Sequence, residues 1–267
     1  MTPESPSDPP LRFAWTAAGP FAFTDEGAGP PLVLVHGLPG SSRDFRWLCS
    51  ALGHDVRSIR VEQPGFGQTP WTTESGTTLA HRARFVLEAV DALGVDRFRV
   101  LGHSIGGPVA MAVAARAAAR CDGLALIASV GLHPHRLARR TPRRPELARP
   151  LTWRPVQRLV LPELRRGFAR AGFPASTPEG EMIQCTRVFG SLDFAHNRAA
   201  AFGVRAPSLI AWAEDDALVE PAIGLSLSQV LPDGPRLPFA TGGHNIQKTR
   251  AVELADALRA WMRIPTA

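Results

Sequence analysis

The chain has 267 residues, 45% of them hydrophobic, which suits one large α/β domain with room for an inserted subdomain. No apolar run is long enough to cross a bilayer, and the first ten residues are polar and proline-rich without the features of a secretory signal. The reading is a cytoplasmic protein with no membrane partner and with residues 1–10 as a loose tail. The net charge of +6 is almost all arginine, concentrated between Arg136 and Arg170; it reads as a solvated basic face, with attraction of an acidic substrate as the alternative, and with no aromatic-interleaved RNA motif or zinc-finger spacing it argues against nucleic acid.

In chain order, Phe13–Trp15 and Phe21–Thr24 read as short strands around the turn at Gly19-Pro20. Leu32–His36, an apolar run closed by Gly37, reads as a buried strand, and Asp44 to Leu52 as a short helix. Val56–Val61 alternates apolar and polar residues and stops before Pro64-Gly65. Leu79, Ala83, Val86, Val90 and Leu93 recur at helical spacing, one buried stripe with Gly94 as its stop. Phe98–Leu101 is a strand, and the alanine-rich run Ile105–Arg120 a helix in whose first turn Pro108 costs no hydrogen bond. Leu124–Ala128 is a further buried strand. This alternation predicts a mostly parallel central sheet with helices on both faces.

The pattern breaks between Gly131 and Val204, where arginine and proline abound and only Val156–Leu161 and Glu181–Phe189 look helical. It resumes with the strand Leu209–Trp212, the helix Pro221–Val230, the strand Arg236–Phe239 and the helix Val252–Met262. The predicted organisation is therefore an α/β core of residues 11–130 plus 205–267, with residues 131–204 inserted as a mainly helical cap. Trp153, Phe168 and Phe189 are its candidates for lining a substrate pocket, with Phe173, Phe194 and Phe202 beside them, unless they simply form the cap's own core.

Chemistry concentrates at Gly102-His103-Ser104-Ile105-Gly106-Gly107, between a predicted strand and a predicted helix. G-x-S-x-G in that context is a nucleophile elbow: the serine is thrust out of a sharp turn that flanking glycines leave room for. The following helix aims its N–H groups and positive dipole end at the reaction centre. His103 should leave that turn in another direction, and His36, at a strand end, is expected to brace a loop. Cys49, Cys121 and Cys185 are far apart and fit free thiols. No metal or cofactor motif is present, so no metal and no cofactor is expected.

The segments HGLPGSSRDF, EQPGFGQT, GHSIGG, WAEDDALV and TGGHN stand in the order shown by enzymes of the α/β-hydrolase superfamily with an H-G-x-P oxyanion loop, and the chain resembles that family over nearly all of its length outside the cap. The resemblance implies a Ser-His-Asp triad of Ser104, His244 and an aspartate after a late strand. The family's G-x-x-D pattern places that acid at Asp216, although Ala213 stands where glycine is usual and Asp215 is an alternative. It also implies oxyanion donors from the backbone N–H groups of Leu38 and Ile105. The expected activity is hydrolysis of a small-molecule substrate, first of all a carboxylic ester with a small or medium acyl group, by a monomer or homodimer. C–C bond, lactone or thioester hydrolysis would use the same triad, and a binding protein on the same scaffold would use the pocket without turnover.

Overall fold

Each apolar run noted above forms a strand in the computed structural model, which describes residues 5–72, 76–140, 149–170 and 172–263. The strands are β1 (Arg12–Thr16), β2 (Gly19–Glu26), β3 (Pro31–Val35), β4 (Arg57–Val61), β5 (Phe98–His103), β6 (Cys121–Ile127), β7 (Ser208–Ala213) and β8 (Arg236–Phe239). They lie in one sheet in the order β1-β2-β4-β3-β5-β6-β7-β8. β1 and β2 form an antiparallel hairpin, β2 runs antiparallel to β4, and every later pairing is parallel.

The helices are α1 (Arg46–Leu52), α2 (Leu79–Ala92), α3 (Gly106–Arg116), α4 (Arg136–Arg140), α5 (Arg154–Arg170), α6 (Glu179–Gly190), α7 (Phe194–Gly203), α8 (Pro221–Val230), α9 (Ile246–Thr249) and α10 (Ala251–Met262). Period-two alternation sorts the strands' side chains into two cores. Val33, Val35 and Val100 meet α2 and α3 on one face; Leu32, Leu34 and Leu101 meet α1 and α10 on the other. Burial on both faces is why β3 reads as an unbroken apolar run and why β5, Arg99 apart, is apolar from Phe98 to Leu101.

Strand order reverses around β3: the chain moves outward to β4, then crosses to β5 on the other side. The loops leaving the carboxyl ends of β3 and β5 diverge there and open a crevice, the place where open α/β sheets bind their ligands. Residues 36–40, Ser104, 214–219 and 240–245 all leave the sheet at this edge.

Four expectations need correction. The helix expected over Ile105–Arg120 ends at Arg116, because Phe98 N–H takes the Arg120 carbonyl (3.1 Å) and Cys121 already pairs with Phe98 in the sheet. The middle region is mainly helical, as expected, but α4 and α7 join the two helices foreseen there. Its last helix, α7, packs on α3 of the sheet domain, and Cys185 and Val188 of α6 lie in the same buried cluster as the sheet, so the insertion is packed into the core rather than only laid over the sheet's edge. Residues 1–4 lie outside the described residues, but from Ser5 onward the expected tail is tied down. Asp8 bonds the buried Arg60 guanidinium at 2.9 Å and lies 3.4 Å from that of Arg43, and Ser5 accepts from Arg46 at 2.8 Å.

Candidate active site

At the end of β5 the chain must leave the sheet and enter α3 within two residues. Ser104 takes up that turn at φ +53°, a region non-glycine residues visit at a cost. The turn is over-determined: Ser104 N–H donates to the Ile127 carbonyl at 3.1 Å, and the Ser104 carbonyl accepts from Gly107 and Val130 N–H at 3.0 Å each. Glycine supplies the room. A Cβ on Gly102 would sit 2.4 Å from the Gly106 carbonyl oxygen, and one on Gly106 would sit 2.3 Å from that of Val35. Both obstacles are backbone, so Gly102→Ala should cost about 3 kcal/mol or more. A fall of about 10 °C in Tm by calorimetry is the expected result; an unchanged Tm would show the elbow to be pliable.

His244 arrives from the loop between β8 and α9, whose backbone is held from two sides. Asp215 Oδ1 accepts the Gly243 N–H at 2.7 Å, and His103 Nε2–H donates to the His244 carbonyl at 3.0 Å. The imidazole then lies between two partners: His244 Nε2 is 2.9 Å from Ser104 Oγ, and Nδ1 is 2.8 Å from Asp216 Oδ2. Asp216, 4% exposed, leaves β7 through a tight turn and also accepts the N–H groups of Leu218 (2.8 Å) and Val219 (3.0 Å) at Oδ1. Burial opposes its ionisation, but the His244 hydrogen bond and charge and these two amides outweigh burial and hold the carboxyl below its ordinary value. An ionised Asp216 only accepts, so Nδ1 carries the imidazole proton, Nε2 is the acceptor, and the Ser104 hydroxyl donates to it. Asp215 is fully exposed and does not reach the imidazole ring; of the two carboxylates, Asp216 is the one in the row.

The loop after β3 crosses in front of Ser104. A Cβ on Gly37 would come within 3.1 Å of Ser104 Cβ and of His103 Nδ1, so only glycine lets the backbone pass this close. His36 braces the loop: its Nδ1 meets the Gly37 carbonyl at 2.6 Å, and its Nε2 accepts the Gln63 N–H at 3.0 Å. Burial pushes its imidazole down to about 4, which keeps it neutral. Leu38 lines the cavity beside Ser104, while Ile105 buries its side chain in the core and presents its amide directly after the serine. Glu62, at the end of β4, accepts from Ser42 Oγ (2.7 Å) and Gln68 N–H (2.6 Å) and ties two loops together.

Above these residues lies a cavity of about 530 Å³, walled on the far side by residues 172–178 and Phe189 of the inserted region. Of the six aromatic side chains considered for lining it, Phe189 and Phe173 do. Phe168 does not: it stands behind the wall, its ring 5.2 Å from that of Phe173. Trp153, just before α5, is 67% exposed and does not line the cavity. The arginines of α5 are exposed and none lines the cavity; its ionisable members among the described residues are Asp44, Glu181, His103, His135 and His244. Sequence reasoning missed Asp44, Glu181 and His135: Asp44 stands in the HGLPGSSRDF segment but without an assigned role, and Glu181 and His135 lie outside every motif.

Burial pushes the Asp44 carboxyl up to about 7, with Glu181 and Glu62 adding to the rise and the Ser41 N–H and Arg46 opposing it. An acid whose folded value lies above its unfolded one, near 3.9, keeps a proton that the unfolded chain has released. Its effect on stability is therefore a loss as pH rises from about 4 to about 7. Asp44→Asn should flatten that decline, leaving the variant more stable at pH 7 by on the order of 1–3 kcal/mol and equal at pH 4. Urea unfolding at the two pH values measures the difference.

The family model for the alpha/beta hydrolase fold matches residues 30–178. The chain is 36% identical over 119 residues to haloalkane dehalogenase 2 of Mycobacterium bovis, a match spanning 44% of this chain and 42% of that protein's length. It is 26% identical over 254 residues, 90% of this chain and 89% of the relative, to a RutD protein of Yersinia enterocolitica named for carbamate hydrolysis. Among solved structures, a thermophilic esterase from Thermogutta terrifontis shares the fold with a TM-score of 0.75 at 20% identity, over 96% of this chain and 98% of that one. The enol-lactonase of Burkholderia xenovorans LB400 does so with a TM-score of 0.72 at 19% identity, over 95% of this chain and 100% of that one.

Proposed function

The chain belongs to the alpha/beta hydrolase fold family, and from that premise we propose that it is a serine hydrolase that cleaves carboxylic esters of small or medium acyl groups through an acyl-enzyme. The observation that carries this reading is the row Ser104 Oγ, His244 Nε2, His244 Nδ1, Asp216 Oδ2, with contacts of 2.9 and 2.8 Å. His244 takes the hydroxyl proton as Ser104 attacks the carbonyl carbon. Asp216 holds the imidazole tautomer and offsets the charge of the imidazolium. The Leu38 and Ile105 N–H groups receive the developing oxyanion, and the imidazolium gives its proton to the leaving alkoxide. Water, deprotonated by the same imidazole, then attacks the acyl-serine and frees the acid.

A hydroxyl nucleophile also narrows the substrate. Displacement of halide from an alkyl carbon by Ser104 would leave a serine ether, which offers water no carbonyl to attack, so the cycle would stop after one event. A carbonyl substrate leaves an ester that the same machinery can open. This sets the chain apart from the dehalogenase with which it shares 119 aligned residues. A cavity of about 530 Å³ suits acyl groups of small to medium size. A reducing, cytoplasmic setting completes the reading, in keeping with three buried free thiols.

A panel of p-nitrophenyl esters from acetate to decanoate, run beside lactones, carbamates and C–C cleavage substrates, tests the proposal. Ester turnover should be greatest at short or medium chain length. A lactone, carbamate or C–C substrate turned over about tenfold faster than every ester would displace the ester reading. Failure of a fluorophosphonate probe to label Ser104 in folded protein would favour a binding protein instead.

A further inference from the structure

Of the five ionisable side chains that line the cavity among the described residues, four have evident work. His244 is the base of the proposed mechanism, and His103 braces its backbone at 3.0 Å. Asp44 caps the turn at Ser41, its Oδ2 accepting the Ser41 N–H at 3.2 Å, and Glu181 sits in the acidic first turn of α6. His135 has none. It lies in the connection from β6 to α4, and its backbone is fixed there: its carbonyl accepts the Arg139 N–H at 2.9 Å, and the next amide, Arg136 N–H, donates to Glu220 at 2.8 Å.

The ring is 2% exposed, so it is held by packing, yet neither nitrogen has a hydrogen-bond partner among the described residues. Nδ1 is fully enclosed and the residue lines the cavity, so Nε2 is the nitrogen that can meet a ligand. Burial pushes the imidazole down to about 4, against the pull of Glu220 and Asp216 and with the help of His244 and Arg139, so the ring is neutral at ordinary pH. A buried imidazole with no hydrogen bond carries a desolvation cost that a leucine in its place would not. A partner supplied by the ligand removes part of that cost.

We propose that His135 is a specificity-determining residue whose Nε2 hydrogen-bonds a neutral carbonyl, hydroxyl or amide group of the substrate beyond the scissile bond, so that the preferred esters carry an oxygenated acyl chain rather than a plain alkyl one. This rests on the serine-hydrolase reading of the same cavity. An uncharged imidazole offers no charge to an anion, and no arginine or lysine lines the cavity among the described residues, which leaves neutral polar groups as the match.

The test compares p-nitrophenyl 4-oxopentanoate and 5-oxohexanoate with their isosteres 4-methylpentanoate and 5-methylhexanoate. In His135→Phe the kcat/KM preference for the better oxo ester should fall about five- to tenfold, through KM. In His135→Gln, whose amide nitrogen can stand where Nε2 was, it should return to within about threefold of the parent. An unchanged preference in a His135→Phe protein that keeps its Tm overturns the proposal, and so does a loss in both variants that lies in kcat alone. A second arm needs neither turnover nor a variant of His135. On the Ser104→Ala chain, calorimetric titration should show the amide of the preferred oxo acid binding at least about fivefold tighter than its methyl isostere. Equal affinity sinks the assignment. That preference with no ester turned over by the parent chain would instead overturn the ester reading and leave His135 in place.

Discussion

Ser104→Ala should lower kcat for the best ester by about 10⁵- to 10⁶-fold while the protein keeps its fold and its substrate affinity. The reason is that every covalent step in the proposed cycle forms or breaks a bond at Ser104 Oγ, and the hydroxyl is fixed 2.9 Å from the only imidazole placed to take its proton among the described residues. What survives is the rate that oxyanion donors and a bound substrate give to attack by water. Stability should barely move, because alanine meets the same positive φ as serine and the bonds that fix the turn use the residue's backbone. His244→Ala should cost about as much, and the double variant little more than either single one, since the two groups act as a unit. A double variant slower than the singles by the product of their effects would mean that the two side chains work independently. Pre-steady-state kinetics with a p-nitrophenyl ester supplies a check on the same step: a burst of nitrophenolate from the parent chain and none from Ser104→Ala.

The elements and the reacting groups differ in how far the sequence exposes them. A strand buried on both faces, such as Leu32–Val35, announces itself as an unbroken apolar run, Phe98–Leu101 does so with the one interruption of Arg99, and the stripe from Leu79 to Val90 announces a helix with one buried face. Ser104, Asp216 and His244 were legible because each follows a strand at a turn whose shape demands glycine or a tight bend, and the motif order supplied the pairing. The cavity's far wall was not legible. Residues 172–178 carry no periodicity, and which aromatic of the insertion faces inward depends on how α5 and α6 pack, so of six candidates only packing singles out Phe173 and Phe189. His135 was hidden for a different reason. It falls in the inserted region, two residues after His133 and outside any motif, and only three-dimensional packing reveals a buried ring with an unbonded Nδ1. Asp44 likewise looked like an ordinary helix-start acid until Glu62 and Glu181 were brought near it.

Asp216→Asn should cost about 10⁴-fold in kcat, in the manner of the serine-protease triad, whereas Asp215→Asn should cost at most about tenfold. The two residues are adjacent and identical in charge, so the contrast isolates geometry. An asparagine at 216 can present its NH₂ to the imidazole; Nδ1 then becomes the acceptor, the proton moves to Nε2, and the nitrogen facing Ser104 can no longer take a proton. Asp215 only tethers the Gly243 amide, and the asparagine oxygen can keep that bond. The acid side of the stability curve gives an independent reading. Asp216 has its folded value depressed, so the stability it contributes is present above about pH 4, the unfolded carboxyl value, and is lost as pH falls through the folded one. Denaturant midpoints of the parent and of Asp216→Asn should therefore differ most at pH 6–7 and converge below about pH 4. A larger kinetic loss in Asp215→Asn would move the acid of the triad by one residue and require the β7–α8 turn to rotate, breaking the bonds from Leu218 and Val219 that fix Asp216 where it stands.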